Sequence, residues 1–335
     1  MWNGRACDKC GDCLVKCQYV DYPREKAISQ IEKLISGQKT EILSECITCH
    51  ACNEYCPRNA NPFDLISELQ ETYNALPVPE KLVSWMAAGT KVPSLLEKGN
   101  DEKPALSLCV MEPTVPKSAL EGDLFDGMTV MKGGDYFCFL GNVHIGKASP
   151  LRENARRFID NLAATGARRI VLFHDDCYAM VKKMPDFGIA VPFEAIHLVE
   201  YLRDYLKSNE DKITPLNRRI AYQRPCASRL SPELDPVLDE IFRMISVTRV
   251  NRKYDRQSAL CCGQIFSKIY PEKIQIVQQK NLEDAVEAGV EAMVFLCPMC
   301  MVGLGHQALQ RRISPIFITE LVRMALGELS FPDSV

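Results

Sequence analysis

The apolar positions of this chain follow two different regimes. Between residues 24 and 36, Ile28, Ile31, Leu34 and Ile35 recur at helical spacing and Gly37 supplies a stop, so a helix is predicted there. Asn61-Pro62 opens a second predicted helix, with Leu65, Ile66, Leu69, Tyr73 and Leu76 turned inward. Residues 76–103 carry Pro77, Pro79, Pro93 and Gly99 and read as a linker. From residue 105 onward, short β-rich runs at 105–110, 136–140, 169–174, 218–222 and 292–297 alternate with amphipathic stretches, which predicts an α/β layered domain.

That second regime repeats itself. Adding 123 carries Cys138 to Cys261, Gly166 to Gly289, Cys177 to Cys300, Leu198 to Leu321 and Val199 to Val322. Two homologous halves, 104–212 and 213–335, are therefore expected, related by a pseudo-twofold axis and preceded by a separate helical domain over 1–103.

The 335 residues are 47% hydrophobic and 25% charged, enough to bury a sizeable core in about two domains. A net charge of -3 supplies no basic field for nucleic acid or an anionic membrane. No stretch has the ~20 uncharged apolar residues of a membrane span, and the first residues lack a basic-then-apolar leader. A soluble, cytoplasmic protein is expected. Cysteine changes the picture: there are sixteen, eight of them in the first 56 residues. Without a secretory leader, that density favours metal ligands over disulfides.

Cys7, Cys10, Cys13 and Cys17 read C-x2-C-x2-C-x3-C, and Cys46, Cys49, Cys52 and Cys56 repeat the spacing with Pro57 behind them. Gln18 stands where a proline follows the second string. Three thiolates at three-residue steps can face one iron-sulfur cube, and in two-cluster ferredoxins the fourth cysteine of each string crosses to the other cube. The expected groups are Cys7, Cys10, Cys13 and Cys56 around one 4Fe-4S cubane, and Cys46, Cys49, Cys52 and Cys17 around a second. A pair of zinc knots is the alternative, but it leaves each string a surplus cysteine.

The second half carries Cys226, then Cys261-Cys262-Gly263, then Cys297-Pro298-Met299-Cys300. Five thiolates from three loops at strand ends can converge on one inorganic centre, and Gly263 lets backbone approach it closely. A zinc site with a spare core cysteine is the alternative. The first half has Phe139, Leu140 and His174 at the positions of Cys262, Gly263 and Cys297, and Cys109 corresponds to Cys226 across an insertion. Cys109, Cys138, His174 and Cys177 then make a Cys3His set, read either as a structural zinc site or as relics packed in a core.

This order of motifs resembles heterodisulfide reductase in its fused form, the D-type polypeptide, where a ferredoxin of the C type precedes a cysteine-rich CCG domain of the B type. The resemblance implies an α-helical ferredoxin domain followed by an α/β domain of two pseudo-symmetric CCG modules, the first degenerate. It implies that Cys226, Cys261, Cys262, Cys297 and Cys300 ligate a noncubane 4Fe-4S cluster. It also implies a flavoprotein partner resembling the A-type flavoprotein of heterodisulfide reductase, other electron-transfer subunits, and a place in anaerobic metabolism and flavin-based electron bifurcation. In heterodisulfide reductase two such clusters cleave the disulfide together; here only one complete set exists.

Other candidates weigh less. Asp175 and Asp176 suit a solvated helix start, and His144 is a candidate proton donor near the site entrance. No Rossmann fingerprint or Walker loop is present, so another polypeptide must handle two-electron donors. An electron-transfer role within an oxidoreductase complex is the first expectation. The alternatives are a thiol-disulfide reductase with Cys261 and Cys262 at its catalytic centre, and a scaffold stapled by structural metals.

Overall fold

The structure is a computed structural model describing residues 1–332, so the last three positions of the 213–335 segment lie outside the described residues. The first 72 residues are helical and loop-linked, built on helices Arg24–Ile35 and Pro62–Thr72. Ala27, Ile31 and Leu34 bury one face of the first helix against Leu14, Leu43 and Ile66. Ile35, expected inside, is exposed, because it lies about 100° round the helix from Leu34.

Among the described residues nine strands form two sheets. Strands β1 (Leu95–Glu97), β2 (Ala105–Cys109), β3 (Val130–Lys132), β4 (Arg169–Leu172) and β5 (Glu194–His197) lie in the order β1-β3-β2-β4-β5. Strands β6 (Arg218–Gln223), β7 (Val247–Arg249), β8 (Ala292–Phe295) and β9 (Ser314–Phe317) lie in the order β7-β6-β8-β9. All pairings are parallel except that of β1 with β3. The chain is thus mixed α/β with two parallel-sheet regions. With β1 set aside, both sheets run second-first-third-fourth in chain order.

The sheets share a core. Val171 and Phe173 from the first meet Tyr222, Val294 and Phe317 from the second, and the Phe173 and Phe317 rings stack 5.5 Å apart at 3°. Such a pair adds about 0.5–1.5 kcal/mol beyond the area it buries.

Three expectations need correction. The segment 76–103 is not a free linker: it forms helix Glu80–Ala88 and the edge strand β1, bonded to β3. Residues 136–140 form no strand. The pairing strand is β3, six residues earlier, and Tyr136 ends a short 3-10 turn. The repeat offset is also not constant. Glu200 and Glu320 each accept the backbone N–H three residues back, from His197 and Phe317, so these helices correspond at an offset of 120. Leu198 therefore matches Ile318, not Leu321. A slip of three residues is nearly one helical turn and keeps apolar residues on the same face, which conceals it in sequence.

Candidate functional site

Ligand sites of parallel α/β sheets lie beyond the C-terminal strand ends, and the cysteines of both halves gather there. Cys226 follows β6, Cys261 and Cys262 sit in the loop after β7, and Cys297 and Cys300 open helix Pro298–Leu309 after β8. The five thiols form an open row in the order Cys226, Cys261, Cys262, Cys300 and Cys297, each shifting the ionisation of the next. Gly263 turns the chain with φ +67° and donates its N–H to Cys261 Sγ at 3.4 Å. A Cβ there would lie 2.6 Å from Ile274 Cγ2, so packing as well as conformation requires glycine.

Close thiols cannot all ionise. Hydrogen bonds from Cys226 and Cys262 hold Cys261 well below the usual thiol range. Cys300, and then His174 working against burial, bring Cys297 down to about 6. Cys226, Cys262 and Cys300 are pushed up in consequence, their bonds to ionised neighbours adding to burial. Deprotonating the whole row needs added positive charge, which is what a metal centre supplies.

The other half is arranged differently. Cys109, at the end of β2 with φ +57°, meets Cys138 and Cys177 so that all three sulfurs lie within 4.8 Å of one another, all buried. Among the described residues no other group of potential ligands is gathered so tightly. A single tetrahedral zinc holds thiolates roughly 3.8 Å apart, so this triangle fits one ion. Cys138 and then Cys177 donate to Cys109 and hold it well below the usual range.

His174, expected as the fourth member, is not part of the triangle. It precedes helix Asp175–Lys182 in extended conformation, with Nε2 3.4 Å from Cys297 Sγ and Nδ1 4.0 Å from Asp176. It belongs to the row of the opposite half. Asp175 is not solvated either: it is buried, accepting from His197 at 2.6 Å and Ser228 at 2.9 Å. The helix start points into the space between the sheets and not outward.

In the helical region, Cys13 is pushed up to about 12 by burial and then by Cys56, Cys10 and Cys7, which the fold brings around it. Cys46 rises to about 12 through burial, with Cys17 the thiol acting on it most strongly, and Cys52 rises through burial and then Cys46, Cys13, Cys49 and Cys17. The fourth cysteine of each string thus sits with the other string. Neither group has three sulfurs within 4.8 Å, a spread that suits a multi-iron centre better than one ion.

The second string also abuts the five-thiol row. Cys46 and Cys49 both feel the charge of Cys261, and the Cys261 N–H donates to the hydroxyl of half-buried Tyr19 at 2.8 Å. Ile47, Cys49, Phe266 and Ile274 share one apolar cluster. A buried ion cluster clamps this junction: Glu54 accepts from Arg224 at 2.9 Å and from Arg229 at 2.5 Å. Sequence reading missed Tyr19, Glu54, Arg224 and Arg229. The available signal was charge lodged among metal-spaced cysteines, since Glu54 lies between Cys52 and Cys56 and the two arginines flank Cys226.

A cavity of about 240 Å³ opens over this arrangement, lined by all five thiols of the row together with Cys109, Cys138, His144 and His174. His144 holds Thr48 Oγ1 at 2.7 Å through Nδ1, and its Nε2 lies 3.6 Å from Cys226 Sγ. Both histidines come from the three-thiol half and both face the row of the other.

Comparison with known proteins agrees with this arrangement. Residues 220–305 match the cysteine-rich CCG domain family. Over 195 residues the chain is 27% identical to the D-type polypeptide of the dihydromethanophenazine:CoB–CoM heterodisulfide reductase of Methanosarcina barkeri, covering 56% of this chain and 47% of that protein. The chain spans about half the length of the D-type relatives it matches. The glycolate oxidase iron-sulfur subunit of Escherichia coli is 23% identical over 96% of this chain and 94% of its own. A hypothetical protein from Helicobacter pylori shares the fold with a TM-score of 0.59 at 12% identity, over 83% of this chain and 61% of its own. Among the described residues no helix is long and apolar enough to cross a membrane. These relatives and the cysteine-rich domain indicate iron-sulfur clusters as the cofactors, and over about half its length the chain is similar to the D-type polypeptide of heterodisulfide reductase.

Proposed function

We propose that this chain is the iron-sulfur electron-transfer subunit of a heterodisulfide-reductase-like oxidoreductase complex. It passes electrons between a partner resembling the A-type flavoprotein of heterodisulfide reductase and an acceptor. Cys7, Cys10, Cys13 and Cys56 hold one cubane, Cys17, Cys46, Cys49 and Cys52 a second, and Cys226, Cys261, Cys262, Cys297 and Cys300 a noncubane 4Fe-4S cluster. Cys109, Cys138 and Cys177 hold zinc. Bound there, the iron-sulfur clusters supply one-electron carriers whose potentials follow burial and hydrogen bonding. Residues 1–103 act as the ferredoxin-like domain, and 104–212 and 213–335 as degenerate and intact CCG modules. The matched strand orders support that duplication.

The observation that carries this reading is contiguity. Cys46 and Cys49 lie close enough to Cys261 to feel its charge, and Tyr19 joins the two groups through a hydrogen bond. Cys13 feels Cys56, Cys10 and Cys7, and in this relay the first string is the outer point. In a Cys52→Ser variant, stopped-flow reduction through the first cubane should no longer reach the five-thiol centre. Unchanged reduction of that centre would refute the relay.

The cavity favours a second reading. An open space against Cys261 and Cys262 is what a catalytic centre for thiol-disulfide chemistry needs, and a pure relay does not need it. Turnover of a small disulfide by the isolated, prereduced chain decides between them: turnover that disappears in Cys262→Ser supports catalysis, and no turnover leaves the relay alone.

A further inference from the structure

Gln18 stands where a proline follows the second cysteine string, and the structure gives that departure a use. Pro57 is exposed, whereas Gln18 is half-buried against the segment that leads into Cys261. Gln18 Nε2 donates to Ser258 O at 2.7 Å and to the Tyr55 hydroxyl at 3.2 Å. A proline at this place brings no side-chain donor. Tyr55, beside Cys56, extends the contact by donating to Gln257 O at 2.9 Å.

The strap 256–260 has no strand partner; it is a short 3-10 turn followed by irregular chain. Yet each of its carbonyls accepts from a side chain. Arg224 donates to Arg256 O at 3.1 Å, Arg229 to Gln257 O at 3.0 Å and to Ala259 O at 2.6 Å, and Gln223 to Leu260 O at 2.9 Å. Gln18 supplies the hold at Ser258, so the series has no gap. Gln18 and Tyr19, the two residues after Cys17, thus grip the chain at Ser258 and at Cys261 itself. Arg256, Gln257 and Ser258 are exposed, so water can satisfy their carbonyls and burial does not demand these side chains. What the side chains add is fixed position: a strap held at successive points cannot shift against Cys17 or Cys56.

We propose that Gln18 is a positioning residue for the step that carries one electron from the centre on Cys17, Cys46, Cys49 and Cys52 to the centre on the five-thiol row. The first centre is oxidised by one electron and the second reduced by one. Gln18 acts by pinning the strap that ends at Cys261, so that the row keeps a fixed distance from the second string. The inference deepens the relay reading and rests on it for the electron transfer; the pinning itself does not. It also explains why the two strings differ in the residue behind their last cysteine, since Pro57 has no strap to hold.

Trypsin reports the pinning in the cluster-loaded full chain without any turnover, because Arg256 is exposed at the start of the strap. Cleavage there follows the opening equilibrium of the strap. Gln18→Met keeps a side chain of similar length without a donor, and should speed cleavage after Arg256 by ~5-fold for each hydrogen bond lost. Tyr55→Phe, which removes the bond to Gln257 O, should act in the same direction. In stopped-flow reduction through the first cubane, both variants should reduce the cubanes at the parent rate and the five-thiol centre ~10-fold more slowly, with iron content unchanged. Iron loss, or an equal slowing of every phase, would mark a merely structural role and overturn the assignment. Cleavage at the parent rate in both variants overturns the pinning, and faster cleavage with undiminished reduction of the row overturns the positioning role. The relay fails separately: unchanged reduction of the row in Cys52→Ser refutes it, whereas reduction blocked in Cys52→Ser but normal in Gln18→Met refutes only the role of Gln18.

Discussion

The two α/β halves share a strand order and a position for their cysteines, yet they present different sulfur geometries. In the first, three buried thiols close into a triangle within 4.8 Å. In the second, five thiols form an open row in which Cys261 and Cys297 are held below the usual thiol range and the neighbours between them are pushed above it. The residue at the Cys297 position of the first half, His174, does not complete the triangle; it crosses to Cys297 itself. Histidines of the first half line the wall of the second half's row, and the first half's own three thiols have the spacing of a single ion.

The sharpest break of this comparison comes from removing one thiol in each half. Cys262→Ser should abolish the spectroscopic signal of the five-thiol centre and leave zinc and both cubanes. Cys177→Ser should remove about one zinc per chain and leave iron unchanged. Metal analysis and EPR on the same samples check both, and reciprocal losses in either variant would contradict separate centres. The next effect is on stability. Glu54 holds two arginines of the five-thiol half and none of the three-thiol half, so Glu54→Gln leaves both buried charges short of a partner. A cost of about 3–5 kcal/mol is expected in denaturant melts, with iron lost from the second half while zinc is retained.

A smaller effect is expected at the turn between Cys262 and Gln264. Gly263→Ala should cost about 1–2 kcal/mol from its left-handed conformation, with more from overlap with Ile274. The first half tolerates Phe139 at φ +63° in the matching loop, so Phe139→Ala should leave the zinc content unchanged. Of similar size is Tyr19→Phe, which orphans the Cys261 N–H at about 1–3 kcal/mol. It should shift the EPR signal of the five-thiol centre and leave the zinc site untouched; an unshifted signal would remove Tyr19 from the relay.

What could be read in advance was what local spacing encodes. The cysteine strings are local, so their spacing was legible, and the grouping of Cys56 with Cys13 and of Cys17 with Cys46 was an expectation that metal analysis of single-cysteine variants would test. Helix Arg24–Ile35 was legible because a 3.6 period over twelve residues is a strong signal. Strands β3, β5, β7 and β9 were not, since their three or four residues mix polar with apolar side chains, whereas the equally short β4 and β8 sit in nearly unbroken apolar runs. The direction of His174 was hidden for a different reason. Its partner Cys297 lies 123 residues away in the other half, and a pattern that aligns the two positions argues for equivalence when the fold has put them in contact. The cavity was equally invisible, as its wall draws on helix Glu80–Ala88 from a segment whose prolines read as a linker.

The central claim is that one chain carries two cubanes, a larger centre on the five-thiol row and a single zinc on the three-thiol triangle. Anaerobic iron, zinc and acid-labile sulfide content, with EPR of the oxidised and reduced protein, tests it most directly. About twelve irons and one zinc per chain, with an oxidised-state signal that disappears in Cys262→Ser, is the predicted result. About eight irons with two zincs would put an ion in place of the cluster on the five-thiol row and contradict that claim.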